Sequence, residues 1–299
     1  MRCRIVNKLK KGDLVARISY NKDVIFEITD IIKSNNNDDN NNDNKICILK
    51  GITQRIEADS PLEDLTLMDK RAVKKEIKSI ENKILDRISK YLTYENNSEK
   101  NNLFHTLNIE KRSEKAWHTG KILHLDGDRR YSEKSARYYK SLGLNAIVKN
   151  VAENKQAKVV TNLLDRYNPD ILVITGHDGM IKKETNFNDI YNYRNSRYFI
   201  NTVNVARNWN GKKGKQLAIF AGACQSFYEA IMLAGANFAS SPKRIMIDFI
   251  DPLIVAERIA TTDNTKYIGI KDIESELRDG REGIDGIGTM GKKTYFSSL

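Results

Sequence analysis

No stretch of the 299 residues approaches the roughly 20 consecutive apolar positions that span a bilayer, so no membrane-crossing helix is expected. The opening run Met1-Arg-Cys-Arg-Ile-Val-Asn-Lys also lacks the roughly 7–15-residue apolar centre of a secretory signal. Both absences point to synthesis and folding in a cytoplasm. Cysteine is scarce: Cys3, Cys47 and Cys224 are odd in number and far apart. That excludes a disulfide framework and suits a reducing compartment. No CxxC or HxxxH spacing occurs, so neither a metal nor any other cofactor is expected. Histidine is also sparse, with four residues: His105, His118, His124 and His177.

Charge, by contrast, is plentiful. The net charge is +11 and the isoelectric point about 9.3, a balance that favours acidic partners. No nucleic-acid recognition motif accompanies the excess, so nucleic acid is not the expected partner. A hydrophobic fraction of 40% supports a substantial core, and the length allows one large domain with a smaller one.

The pattern divides the chain into 1–68, 69–116 and 117–299. In the first part, alternating runs around Leu14, Phe26, Ile46 and Ile56 are separated by turn-type residues and predict a small β-barrel-like module. The asparagine- and aspartate-rich tract at 34–44 cannot bury apolar surface and reads as a flexible insertion. Cys47 falls in the third run, as a small core hydrophobe. Val73, Ile77, Ile80, Ile84 and Ile88 recur at helical spacing and predict a basic helix over 69–93, with 94–116 as a linker. From residue 117 short apolar runs alternate with helical patterns. Ile122–Asp126, Ala146–Val148, Ile171–Thr175, Leu217–Ala221 and Ile245–Ile250 read as strands of a parallel α/β sheet with helices on both faces. The glycine-rich tail from Asp279 reads as irregular.

Reactive residues in open parallel sheets gather beyond the carboxyl ends of strands. Two such ends carry them here: Thr175-Gly-His-Asp-Gly and Gly222-Ala-Cys-Gln-Ser. A thiol is only a few per cent ionised at neutral pH, and an imidazole can take its proton and later return one to a leaving amine. His177 and Cys224 are therefore the candidate dyad. Chain order separates the families. No histidine follows Cys224, which excludes elbow-type and papain-like arrangements. His177 lies 47 residues upstream of Cys224, which fits the caspase-like layout. His124 is the rival base, but it lies within a strand rather than beyond it. The backbone N–H groups of Cys224 and Gly179 are the natural oxyanion donors.

Six segments carry a specific resemblance: Gly12-Asp-Leu-Val-Ala-Arg, Ala58-Asp-Ser-Pro-Leu-Glu-Asp-Leu, Leu123-His-Leu-Asp-Gly-Asp, Val173-Ile-Thr-Gly-His-Asp-Gly, Phe220-Ala-Gly-Ala-Cys-Gln-Ser and Ala236-Asn-Phe-Ala-Ser-Ser-Pro. Together they resemble the YabG family of sporulation-specific proteases over nearly the whole chain. The resemblance implies a caspase-like cysteine endopeptidase that acts on spore coat and germination-related proteins in the sporulating cell. It implies association with the developing coat and a preference for cleavage after arginine. The polar linker at 94–116 is expected to be exposed and contains Lys111-Arg112, so self-cleavage is expected there. The clan usually has glycine directly after its histidine. Asp178 intervenes here, which leaves the second oxyanion donor open between the Asp178 and Gly179 amides. Arginine preference requires a carboxylate at the pocket base. By resemblance to gingipain-like enzymes, Asp126 or Asp128 fills that place, with Asp248 and Asp251 as alternatives and Ser240 and Ser241 lining the pocket. The alternative role for Asp126 or Asp128 is to cap the helix that starts near Ser132. The alternative from another class is a non-catalytic spore coat assembly protein, whose basic helix and β-module bind coat components.

Overall fold

The computed structural model describes residues 9–33, 45–106, 116–181 and 186–296. Cys3, the tract at 34–44 and the Lys111-Arg112 pair lie outside them.

The alternating runs of the first part form β1 (Leu14–Arg17), β2 (Phe26–Lys33), β3 (Lys45–Gly51), β4 (Glu57–Pro61) and β5 (Leu65–Leu67). These make one antiparallel sheet in the order β4-β3-β2-β1-β5. Its inward residues, Val15, Phe26, Ile28, Cys47 and Leu49, are fully buried. The same cluster also takes in Cys224 and Ile247 from far along the chain.

Helix α1 spans Lys70–Thr106. It runs well past the expected end, because 94–106 contains neither glycine nor proline to stop it. Its apolar stripe serves two cores. Val73 and Ile77 pack on Ile25 and Ile52 of the N-terminal sheet, and Ile80, Ile84 and Ile88 pack on the larger core that follows.

The remaining elements are β6 (Ala116–His118), β7 (Ile122–Asp126), α2 (Arg129–Ser141), β8 (Ala146–Asn150), α3 (Glu153–Tyr167), β9 (Ile171–Thr175), α4 (Ser196–Lys213), β10 (Ala218–Ala221), α5 (Tyr228–Leu233), β11 (Phe238–Ser240), α6 (Asp251–Thr261), β12 (Tyr267–Ile268), α7 (Gly280–Gly283), β13 (Ile284–Gly286), β14 (Thr289–Met290) and β15 (Thr294–Phe296). Six strands form the central sheet in the order β13-β11-β10-β9-β7-β8, parallel except for β13. Alternate residues of β9 serve opposite faces. Ile171 and Val173 join the core under α2 and α6, whereas Leu172 and Ile174 join the core under α3 and α4. Burial on both faces explains why this strand reads as an unbroken apolar run.

Two expectations for this part are corrected. Ile245–Ile250 is irregular rather than a strand, and β11 takes the place beside β10. Ile247 and Phe249 are apolar because they are buried, not because they pair in the sheet. The glycine-rich tail is also ordered structure. It supplies β13 to the central sheet, while β14 pairs with β12 and β15 with β6. A Cβ on Gly286 would lie 2.1 Å from the Asn237 carbonyl oxygen, so close strand approach explains that glycine.

Candidate active site

β9 and β10 are parallel neighbours with Ile174 opposite Ala221. His177 and Cys224 each lie three residues beyond that pair, level with one another past the same sheet edge. Gly222, at φ +115°, lets the chain turn off β10, and a Cβ there would meet Ser240 at 3.1 Å. Gln225, Ser241 and Arg244 are also left-handed, at φ 56°, 60° and 55°, so strain concentrates around the cysteine loop.

Both candidate residues are fully buried. The cover is the turn between β3 and β4. Gly51 carbonyl oxygen lies 3.2 Å from His177 Nε2. A carbonyl can only accept, so Nε2 carries the proton and Nδ1 is the basic nitrogen. Nδ1 is buried and unpartnered among the described residues. Cys224 Sγ lies 3.8 Å from the Ile247 carbonyl oxygen, to which its S–H donates. Burial pulls the imidazole down to about 4, with Lys50 adding to the effect and Asp128 opposing it. Burial also pushes the thiol up to about 12, against the contrary pull of the Ile247 contact and the Arg55 charge. In this closed arrangement both groups are neutral at physiological pH.

Arg55 occupies the centre of the site and is wholly buried. Its carbonyl oxygen accepts from the N–H of Cys224 at 3.3 Å and from the N–H of Asp178 at 3.2 Å. Ile56 bridges Asp178 in parallel register, and Glu57 N–H donates to the Asp178 carbonyl at 2.7 Å. The segment thus lies along the site as an added strand. Its side chain turns into a pocket at the end of β7, where Nη1 pairs with the buried carboxylate of Asp126. The guanidinium lies 4.6 Å from the Tyr131 ring centre and 5.3 Å from that of Phe249. Asp126 is held in turn by Thr175 Oγ and by the N–H of Asp128, each at 2.8 Å.

Asp128 caps α2 by accepting from Arg130 N–H at 2.7 Å, and its Oδ2 lies 3.9 Å from His177 Nε2. Burial opposes its ionisation, but His177 and Arg130 together hold the carboxyl below its usual value. Gly179 N–H turns back to Asp178 Oδ1 at 2.9 Å, so the Asp178 amide faces the Arg55 carbonyl in its place. The bare Cα of Gly179 instead admits the neighbouring strand: a Cβ would lie 2.1 Å from Glu57 O. Ser240 is buried with its hydroxyl unpartnered among the described residues and lies against Gly222, while Ser241 Oγ accepts from Gln225 N–H at 3.0 Å. Asp248 pairs with Lys83. Asp251 accepts from the N–H groups of Asp248 and Arg278, and burial pushes it up to about 7. His124 packs inside, bonded to Thr175 and Tyr139.

Sequence reading missed three participants. Arg55 stood among ordinary strand residues. The Asp178 carboxylate ties the two loops together by accepting from Ser226 Oγ at 2.9 Å, Asn195 N–H at 2.8 Å and Ser196 Oγ. Burial outweighs these donors and pushes it up to about 6. Glu153 opens α3 and accepts from His177 N–H at 2.8 Å, in a gap that Gly127 and Gly176 leave free. The TGHDG run was the available signal for Asp178. Glu153 and Arg55 had none.

A sheet edge that pairs with an extended segment and buries its arginine against a carboxylate is the kind of site a peptidase presents. Residues 10–296 match the YabG peptidase U57 family, and the chain belongs to that family. It is 37% identical over 294 residues to the sporulation-specific protease YabG of Bacillus subtilis (strain 168), an alignment covering 94% of each chain. No solved structure matches the chain at a significant level. Among the described residues no helix is long and apolar enough to cross a membrane, and no group of histidine, cysteine and carboxylate side chains is arranged to hold a metal ion.

Proposed function

We propose that the chain is a cysteine endopeptidase of caspase-like type that cleaves after arginine. One observation carries this reading. The Arg55 carbonyl oxygen is gripped by the amides of Cys224 and Asp178 while its side chain reaches Asp126. Those two amides form the oxyanion site, Cys224 is the nucleophile, and Nδ1 of His177 is the base. Asp126 selects arginine, and Tyr131 and Phe249 flank the guanidinium. The sheet order, with histidine and cysteine on neighbouring parallel strands, supports the caspase-like relation. The chain divides into the N-terminal β-module at 1–68, the basic helical segment at 69–116 and the peptidase domain at 117–299.

In the reaction, Sγ attacks the substrate carbonyl carbon as its proton passes to His177. The tetrahedral oxyanion rests on the two amides. Its collapse breaks the C–N bond, and His177 protonates the departing amine. Water, deprotonated by His177, then hydrolyses the thioester. The substrates are spore coat and germination-related proteins of the sporulating cell, and the enzyme associates with the developing coat. The family resemblance and the name of the Bacillus relative support that assignment.

The test is turnover of a peptide with a single arginine at the cleaved position. Cys224→Ala and His177→Ala should each lose at least about 10³-fold. Asp126→Asn should lose about 10²–10³-fold in kcat/KM, since one partner of a buried charge pair is gone. Undiminished turnover by Cys224→Ala would overturn the reading.

A further inference from the structure

The residue in the arginine pocket belongs to the chain itself. Arg55 lies near the end of the turn between β3 and β4, and Ile56 and Glu57 continue along Asp178 into β4. Stability alone does not account for a guanidinium buried in such a turn. Burying the charge is costly and is offset only with good pairing. Here Nε and Nη2 have no hydrogen-bond partner among the described residues. Arg55 and the two residues after it make the contacts a bound substrate needs: carbonyl oxygen on two amides, side chain on Asp126, backbone paired beyond the bond. Gly51 carbonyl and the buried Cys224 show that the same turn closes the site to other chains.

We propose that the Arg55–Ile56 bond is the enzyme's own first substrate, cut within the same chain to open the site. This rests on the function proposed above. The thiol of Cys224 adds to the Arg55 carbonyl carbon while its proton moves to His177. The C–N bond to Ile56 breaks, and His177 returns the proton to the new Ile56 amine. Water then hydrolyses the Arg55 thioester, leaving an Arg55 carboxylate and the free thiol. The cut separates β1, β2 and β3 from β4 and β5 along the chain, yet β3–β4 and β1–β5 pairing still joins the pieces. The nick is therefore seen after denaturation.

Intact mass and amino-terminal sequencing under denaturing conditions test this. Wild type should yield fragments 1–55 and 56–299 with Ile56 as a new terminus, at a rate unchanged on tenfold dilution. Cys224→Ala should stay whole, and added wild type should leave its Arg55–Ile56 bond intact, because that bond is buried in its own site. A wild type that turns over the arginyl peptide yet keeps Arg55–Ile56 whole overturns this inference and leaves the proposed function standing. A rate that rises with concentration, or Cys224→Ala cut at Arg55 by added wild type, overturns cutting within one chain. A wild type that cuts neither itself nor the peptide overturns both.

Discussion

His177 and Asp178 are adjacent, both fully buried, and displaced from their usual titration in opposite senses. The imidazole falls from 6.5 to about 4, so between those values the native chain holds fewer protons than the unfolded one and stability rises with pH. The Asp178 carboxyl rises from 3.8 to about 6, so over that interval the native chain holds more protons and stability falls with pH. In the intact pair the two slopes nearly cancel. In a Cys224→Ala background, expected to keep the chain whole, Asp178→Asn should expose the contribution of the histidine. Stability should then rise by about 3 kcal/mol from pH 4 to 6.5. His177→Asn should expose the contribution of the aspartate, a fall of about 3 kcal/mol from pH 4 to 6. Urea midpoints across that range measure both, and Asp251 contributes equally to each variant. Identical pH slopes in the two variants would refute the assignment. The sequence made the histidine and cysteine legible, because strand ends and glycines mark them. It did not make Arg55 legible, because nothing in a local pattern says that a turn in one sheet will enter a site built by another.

At the scale of elements, glycine was the main source of misreading. The tail from Asp279 has no apolar periodicity, so it looked irregular, yet β13 completes the central sheet beside β11. What the pattern could not convey was the neighbour. Gly286 lies where a Cβ would come within 2.1 Å of Asn237 O and 2.8 Å of Phe238 Cα, both backbone atoms that cannot step aside. Gly286→Ala should therefore destabilise by roughly 1–3 kcal/mol, as overpacking does. Gly211, inside α4, has nothing among the described residues within 4 Å of its would-be Cβ. Gly211→Ala should stabilise by up to about 1 kcal/mol through helix propensity. Paired thermal or urea unfolding distinguishes them, and a harmless Gly286→Ala would mean that the tail is not a sheet strand. Helix α1 erred in the other direction. Its polar second half looked like a linker, but helix continues wherever no residue breaks it, and the period over 73–88 sets only the packed portion.

For the whole molecule, the decisive fact is that one sheet's core contains the other sheet's candidate nucleophile. The parallel sheet and its two helical layers were readable from alternating runs, because strands buried on both faces leave unmistakable apolar blocks. The relation of the two sheets was not, since it depends on packing between residues more than a hundred positions apart in sequence: Cys224 joins one buried cluster with Val15, Phe26 and Leu49. Cys47 and Cys224 share that cluster and are equally buried, so the closed molecule gives neither thiol an advantage with an alkylating reagent. The opened molecule should. Once the Arg55 turn lifts, Cys224 regains solvent, while Cys47 stays inside β3, paired on both sides. Iodoacetamide labelling of wild type after it has cut itself should thus be fast at Cys224 and slow at Cys47. In His177→Asn, which keeps the chain whole, both should be slow. A thiol at about 12 carries about 10³-fold less thiolate than an ordinary one at neutral pH, so a contrast of that order is expected at Cys224 between the two proteins. Equal labelling of Cys224 in cut and whole chains would mean that the N-terminal sheet does not govern access to the site, and its five strands would need another role.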